Sequence, residues 1–244
     1  KEQYVGKNTV VCVSGNIPAK TGVLVEKYFK GLPAGNFKDK LPVKESQSKP
    51  QVSVRFKKTD QGHIMLGVRA YDRNHKDRYA LKLLATILGG NMSSRLFLAV
   101  RERQGLAYYI RAMAEGYTDS GFLAVHAGIT SSQLEKALKT IISEFKKIRD
   151  NKVDAKELKK AKEYIKGKTL ISLEASDEVA TYYAEQAVLD GKTVEIKEVF
   201  KKVDAVTSAD IQRVAKDIFT NDKLNLSIIG PYKSAASFKK LLKL

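Results

Sequence analysis

Ile87-Leu88-Gly89-Gly90-Asn91-Met92-Ser93-Ser94-Arg95-Leu96-Phe97, continued by Val100-Arg101-Glu102-Arg103-Gln104-Gly105-Leu106-Ala107-Tyr108-Tyr109, is the stretch on which the fold turns. Just before it, Ala80, Leu83, Leu84, Ile87 and Leu88 recur at helical spacing and predict an amphipathic helix over about 77–88, stopped by Gly89-Gly90. Ser93 or Ser94 is placed to cap a second helix running through Leu96, Phe97 and Val100 to about Gln104, with Gly105 as its stop. From Leu106 the pattern changes to that of a strand, Leu106–Ala114, paired with Gly121–Ile129 through the turn residues Tyr117-Thr118-Asp119-Ser120.

Outward from this segment, Val52–Phe56 and His63–Tyr71 alternate as strands do, around a polar turn at Lys57–Gly62. Downstream, Ser132-x-x-Glu135 and Asp154-x-x-Glu157 have capping-box spacing, with Thr207-x-x-Asp210 as a looser version, and each precedes an amphipathic run. Leu224–Ile229 reads as a final strand and Ser234–Leu244 as a final helix. Strands followed by helices predict an α+β domain with a largely antiparallel sheet packed with helices. At the other end, Thr9–Ser14 reads as a buried strand and Thr21–Leu32 as a helix ended by Pro33; residues 33–51 have the Pro, Gly, Lys and Ser content of a linker. The strand, glycine and helix that begin at Thr9 reappear at Leu224, as two similar domain ends would. The chain is therefore expected to divide into the end of one domain at 1–40, a linker at 41–51 and a whole second domain at 52–244, in a parent protein that begins upstream of Lys1.

The 244 residues are 43% apolar and 29% charged, a globular balance that excludes wholesale disorder. No apolar run approaches the roughly 18 residues of a membrane span, and no signal peptide is read at Lys1-Glu2-Gln3-Tyr4, so a soluble protein is expected, with the cytoplasm favoured. A single cysteine, Cys12, excludes an internal disulfide framework and reads as a small core residue. The net charge of +17 first suggests nucleic acid. However, 34 of the basic residues are Lys and 10 are Arg, spread along the chain without RNP-like aromatics, zinc-finger spacing or basic heptads. That pattern argues for a solvated coat and against a nucleic-acid partner.

Of the three histidines, His63 and His126 fall in strands and are expected in the core or on a sheet face, and His75 in a solvated turn. None has a second His or Cys at metal-ligand spacing, so no metal site is expected within this chain. Ser93-Ser94 lack both the strand and the Gly-Lys pair of a phosphate loop and the Gly-x-Ser-x-Gly of a nucleophile elbow. Gly89-Gly90 are expected as a flexible hinge. Arg101 and Tyr108 flank the predicted helix-to-strand turn, where a guanidinium and a phenol offer donors to a peptide carbonyl or a developing oxyanion. The residues alone also fit a solvated Arg and a packed Tyr.

The opening stretch, with Asp119-Ser120-Gly121, Leu173-Glu174-Ala175, Val206-Thr207-Ser208-Ala209-Asp210 and Ile229-Gly230-Pro231, resembles the pitrilysin/insulinase-type (M16) zinc metallopeptidases, nearest the two-domain bacterial branch related to mitochondrial processing peptidase. The resemblance runs along essentially the whole chain, and Tyr4–Pro33 is similar to the tail of that family's first domain. It implies one half of a metallopeptidase clamshell, in which two homologous α+β domains enclose a peptide chamber. The first domain carries an inverted zinc motif, His-x-x-Glu-His, and a distal Glu; this chain enters after those positions, so the zinc belongs to the parent protein and none is bound here. The second domain's Arg and Tyr match Arg101 and Tyr108, implying that Tyr108 donates to the oxyanion and that Arg101 holds the substrate backbone or supports Tyr108. Where relatives often have a third glycine, this sequence has Asn91. The expected function is the C-terminal portion of a zinc-dependent endopeptidase acting on peptides or unfolded protein, inactive by itself and completed by a zinc-bearing domain in cis or in trans, the latter as a homodimer or heterodimer. The alternative is a non-catalytic partner or core subunit of the same family.

Overall fold

The computed structural model describes residues 2–244; Lys1, the start of the expected N-terminal segment, lies outside the described residues. In chain order the elements are helix α1 (Thr21–Phe29), strands β1 (Gln51–Phe56) and β2 (Gln61–Ala70), helix α2 (Arg78–Gly89), and strands β3 (Ala107–Gly116) and β4 (Gly121–Thr130). Helices α3 (Leu134–Asp150), α4 (Ala155–Ser172), α5 (Ser176–Asp190), α6 (Ile196–Ala205) and α7 (Ser208–Ile218) follow, then strand β5 (Leu224–Gly230) and helix α8 (Ala236–Leu241). A π-helical segment, Phe97–Glu102, lies between α2 and β3. The chain divides into two compact units, Lys1–Pro42 with Lys166–Lys201 and Val43–Ile165 with Lys202–Leu244.

The larger unit holds a five-stranded sheet of order β1-β5-β2-β4-β3. Only the β1–β5 pair is parallel, so the expected largely antiparallel α+β architecture is the one that forms. Strand alternation turns Ile64, Leu66 and Val68 of β2, Leu123, Val125 and Ala127 of β4, and Leu224, Leu226 and Ile228 of β5 to one face, where all are buried. Leu83, Leu84 and Leu88 of α2, Ile141 and Phe145 of α3, and Ile211 and Val214 of α7 join them in one core. Phe145 stacks on Phe219, just past α7, with ring centroids 4.4 Å apart. Each such fully buried side chain contributes about 1.5–3 kcal/mol relative to exposure. The opposite face carries His63, Met65, Met113 and His126, all exposed.

Charge and caps tie the helices to this sheet. Arg213 of α7 donates to both carboxylate oxygens of Asp77, at 2.8 and 2.7 Å, and to Asp210 at 3.0 Å. The expected capping box at Thr207 and Asp210 forms in full. At α4 only half of the expected box forms: Asp154 accepts from the Glu157 N–H at 2.8 Å, but the Glu157 carboxylate is taken by Arg95, at 2.8 and 2.6 Å. Ser132 does not cap α3, because residues 131–133 close a 3-10 turn whose Ser131 N–H and hydroxyl both bind the Asp60 carbonyl.

Three further expectations are corrected. The strand read at 9–14 is not formed: among the described residues no strand pairs with it, and Val10, Val11 and Val13 stay exposed. A strand exists only through its ladder, whatever its β-branched content. In the same stretch Cys12 is half-buried and outside the core. His75 is not simply solvated; its ring stacks on Tyr71 at 3.9 Å and its Nδ1 faces the Asp77 N–H at 3.1 Å.

Candidate functional site

The end of α2 and the start of β3 meet beside a cavity of about 930 Å³. Gly89, Gly90, Asn91, Met92 and Ser93 form one wall, Phe97 and Arg101 of the π-helical segment a second, Tyr109, Ile110 and Arg111 of β3 a third, and Lys160 and Tyr164 of α4 the last. Because β3 ends the sheet, the cavity lies beside an edge strand.

Gly89 is the last residue of α2 and Gly90 its cap, with helical angles of φ −77° and ψ −19°. Gly89 serves close approach: a Cβ there would lie 2.3 Å from the Ala112 nitrogen and 2.7 Å from the Ala112 Cβ. The Gly90 carbonyl accepts from the Tyr164 hydroxyl at 3.0 Å, which pins the turn to α4. Ser94 stands at the head of the second helical segment, its carbonyl accepting from the Leu98 N–H at 3.0 Å, but neither Ser93 nor Ser94 caps it through the side chain. The Asn91 side chain accepts from the N–H and hydroxyl of Ser93, at 2.9 and 2.8 Å, and Ser94 donates to the Asn91 carbonyl at 2.5 Å.

The next turn departs from 3.6-residue winding. Arg103 N–H reaches back five residues to the Leu98 carbonyl at 3.0 Å, the hydrogen bond of a π-helix, a distortion frequent at functional sites. Gly105, at φ +59°, ends it, while its own N–H and that of Leu106 bind the carbonyls of Arg101 and Val100. The segment brings the Arg101 guanidinium over the Phe97 ring, 4.9 Å from its centroid.

Immediately after, β3 is bulged. Ala107 pairs with Ile129 and Tyr109 with Gly128, so Tyr108 is the extra residue. Tyr108 is 76% exposed and is not among the cavity-lining residues, so the structure places Arg101 on the cavity and Tyr108 outside its wall. The residue brought to Arg101's cavity is Tyr109. Its ring lies on Gly128, where a Cβ would come within 2.6 Å of it, and its hydroxyl stands 3.1 Å from His63 Nδ1 and 3.0 Å from His126 Nε2. The phenol has one proton, so it donates to one imidazole and accepts from the other. Burial raises the Tyr109 pKa and keeps that proton on. His63 and His126 thus occupy a sheet face, one of the two positions expected of them.

Tyr109, Arg111, Lys160 and Tyr164 were not singled out by the sequence. Their spacing was visible, two residues apart on a strand and four apart on a helix, but it shows only that each pair shares a face. Among the described residues no three His, Cys, Asp or Glu side chains cluster as metal ligands.

The sequence model described as the Peptidase M16 inactive domain matches residues 1–165. The chain belongs to the M16 peptidase family. Over 230 residues this M16 chain is 32% identical to the uncharacterized zinc protease YmxG of Bacillus subtilis, a match covering 94% of the chain and 56% of that protein. It is also 32% identical over 183 residues to an uncharacterized zinc protease of Streptomyces coelicolor, covering 75% of the chain and 40% of the relative. The chain thus spans about half the length of these curated relatives. The M16 inactive domain from Pseudomonas fluorescens has the same fold, with a TM-score of 0.79 at 19% identity over 90% of this chain and 53% of that one. A protease from Helicobacter pylori gives a TM-score of 0.77 at 23% identity, over 89% of this chain and 54% of its own. No helix among the described residues is long and apolar enough to cross a membrane.

Proposed function

We propose that this chain is the C-terminal portion of a zinc-dependent M16 endopeptidase, soluble and cytoplasmic, in which it closes the chamber and binds peptide substrate. Residues 1–40 complete the zinc-bearing domain, 41–51 link, and 52–244 form the inactive-type domain. Zinc, supplied with its ligands from outside this chain, provides the hydrolytic chemistry. The single observation that carries the proposal is the arrangement at the head of β3: a π-helical turn and Gly105 hold Arg101 at a cavity, and the adjoining bulge leaves the Tyr108 phenol free in solvent. Arg101 holds the substrate backbone there. Tyr108 donates to the oxyanion once the zinc-bearing domain closes over it.

The smaller unit supports the same view, since Val10, Val11, Val13, Val23, Tyr28 and Phe29 expose apolar surface that the rest of the zinc-bearing domain would cover. The test uses the parent protein: zinc per chain is measured beside peptide turnover for wild type and Tyr108→Phe. The expected result is about one zinc per chain in both and a kcat roughly tenfold to a thousandfold lower in the variant. Unchanged turnover would remove Tyr108 from the reaction. A parent without zinc would make the chain a non-catalytic partner or core subunit.

A further inference from the structure

The charge of the cavity beside β3 is one-sided. Arg101, Arg111 and Lys160 all line it, no Asp or Glu does, and none of the three cations has an ion pair among the described residues. Like charges gathered in one concavity repel one another and raise the local concentration of anions. The rings of Phe97, Tyr109 and Tyr164 line the same space, so it also favours an apolar or aromatic group. At about 930 Å³ it has room for more than one side chain.

We propose that this cavity binds a carboxylate carried beside an aromatic or apolar side chain of an extended peptide, and so selects acidic peptides. The proposal takes the peptide-binding reading above and names its substrate class. Two features supply the geometry. Arg101 is held over Phe97, which keeps it at the cavity for the peptide backbone and leaves Arg111 and Lys160 to receive the carboxylate. β3 is an edge strand, so a peptide can align along it through backbone hydrogen bonds and point alternate side chains toward the cavity. Arg111, two residues after Tyr109 on the same strand face, and Lys160, one helical turn before Tyr164, complete the charge from two further directions. The carboxylate comes from an Asp or Glu side chain or from a peptide C-terminus.

The test measures fluorescence anisotropy of labelled peptides with the 244-residue chain at physiological salt. Three peptides share one aromatic residue: one has a Glu beside it and an amidated end, the second has Gln in place of Glu and an amidated end, and the third has Gln and a free C-terminus. One of the two carboxylate-bearing peptides is expected to bind about tenfold more tightly than the carboxylate-free one, and which one identifies the source. Arg111→Gln with Lys160→Gln, both exposed positions, is expected to remove that preference, while Lys239→Gln with Lys240→Gln on α8 keeps it. Equal binding of all three peptides overturns the proposal. So does an equal loss in the α8 variant, which would mean diffuse attraction to a chain of net charge +17. Cleavage by the parent separates the two readings. Turnover indifferent to the carboxylate overturns the acidic preference and leaves the peptidase, whereas a preference in binding with no turnover of any peptide overturns the peptidase and leaves the acidic site.

Discussion

Replacing Gly89 with Ala adds one methyl group to the cavity wall, and the structure sets what that methyl meets. Its carbon would lie 2.3 Å from the Ala112 nitrogen and 2.7 Å from the Ala112 Cβ, where carbon contacts settle near about 3.5–4.0 Å. The neighbour is strand backbone, which cannot rotate aside, so the end of α2 must lift from β3 by roughly 1 Å, loosening Ile87 and Leu88 in the core. Overpacking of this kind costs about 1–3 kcal/mol, against which Ala gains about 1 kcal/mol over Gly in helix propensity. The expected net change is a loss of up to roughly 2 kcal/mol. Gly167→Ala provides the opposite case: it lies inside α4 and a Cβ there meets nothing within 4 Å, so only the propensity gain of about 0.5–1 kcal/mol remains. Urea unfolding followed by circular dichroism reads both. The midpoint should fall for Gly89→Ala and rise for Gly167→Ala. A Gly89→Ala midpoint that rises as the Gly167→Ala midpoint does would refute the close approach of α2 to β3, and with it the wall of the cavity.

Other outcomes follow from the ion pairs around the sheet. The Asp77 carboxyl is held below its ordinary pKa by the hydrogen bonds from Arg213, and that of Asp210 is pushed down to about 2 by the Thr207 hydroxyl, the Thr207 N–H and then Arg213. Both groups bind protons more weakly in the folded state, so their stabilisation is complete above pH of about 4 and is lost as pH falls, for Asp210 through about 2. Arg213→Gln should flatten that part of a stability-against-pH curve, and an unchanged slope would count against the pairing. Arg95 and Glu157 form a two-pronged, partly buried pair that links the turn after Gly90 to α4. A double-mutant cycle with Arg95→Met and Glu157→Gln should give a coupling of about 1 kcal/mol, with additive losses as the contrary result.

Much of this protein was legible from local pattern. The stripe Leu83, Leu84, Ile87 and Leu88 marked α2, the alternation of β2 and β4 marked their buried faces, and Thr207 with Asp210 marked the start of α7, because such elements depend on residues within a few positions of one another. The failures share a cause. Thr9–Ser14 has the composition of a strand, but a ladder needs a partner that composition does not name. Ser93, Ser94 and Ser132 have the chemistry of caps, yet Asn91 and Asp60 hold the neighbouring turns instead.

The sequence by itself determined that an Arg and a Tyr flank a glycine-ended turn at the head of a strand, because each of those features is written within ten residues of chain. Only the tertiary structure decided which of two adjacent tyrosines shares a cavity with that Arg. One extra residue in the β3 ladder resets the alternation, sending Tyr108 to solvent and Tyr109 onto Gly128, and Arg111 and Lys160 meet Arg101 only because an edge strand, a π-helical turn and a distant helix close on the same space.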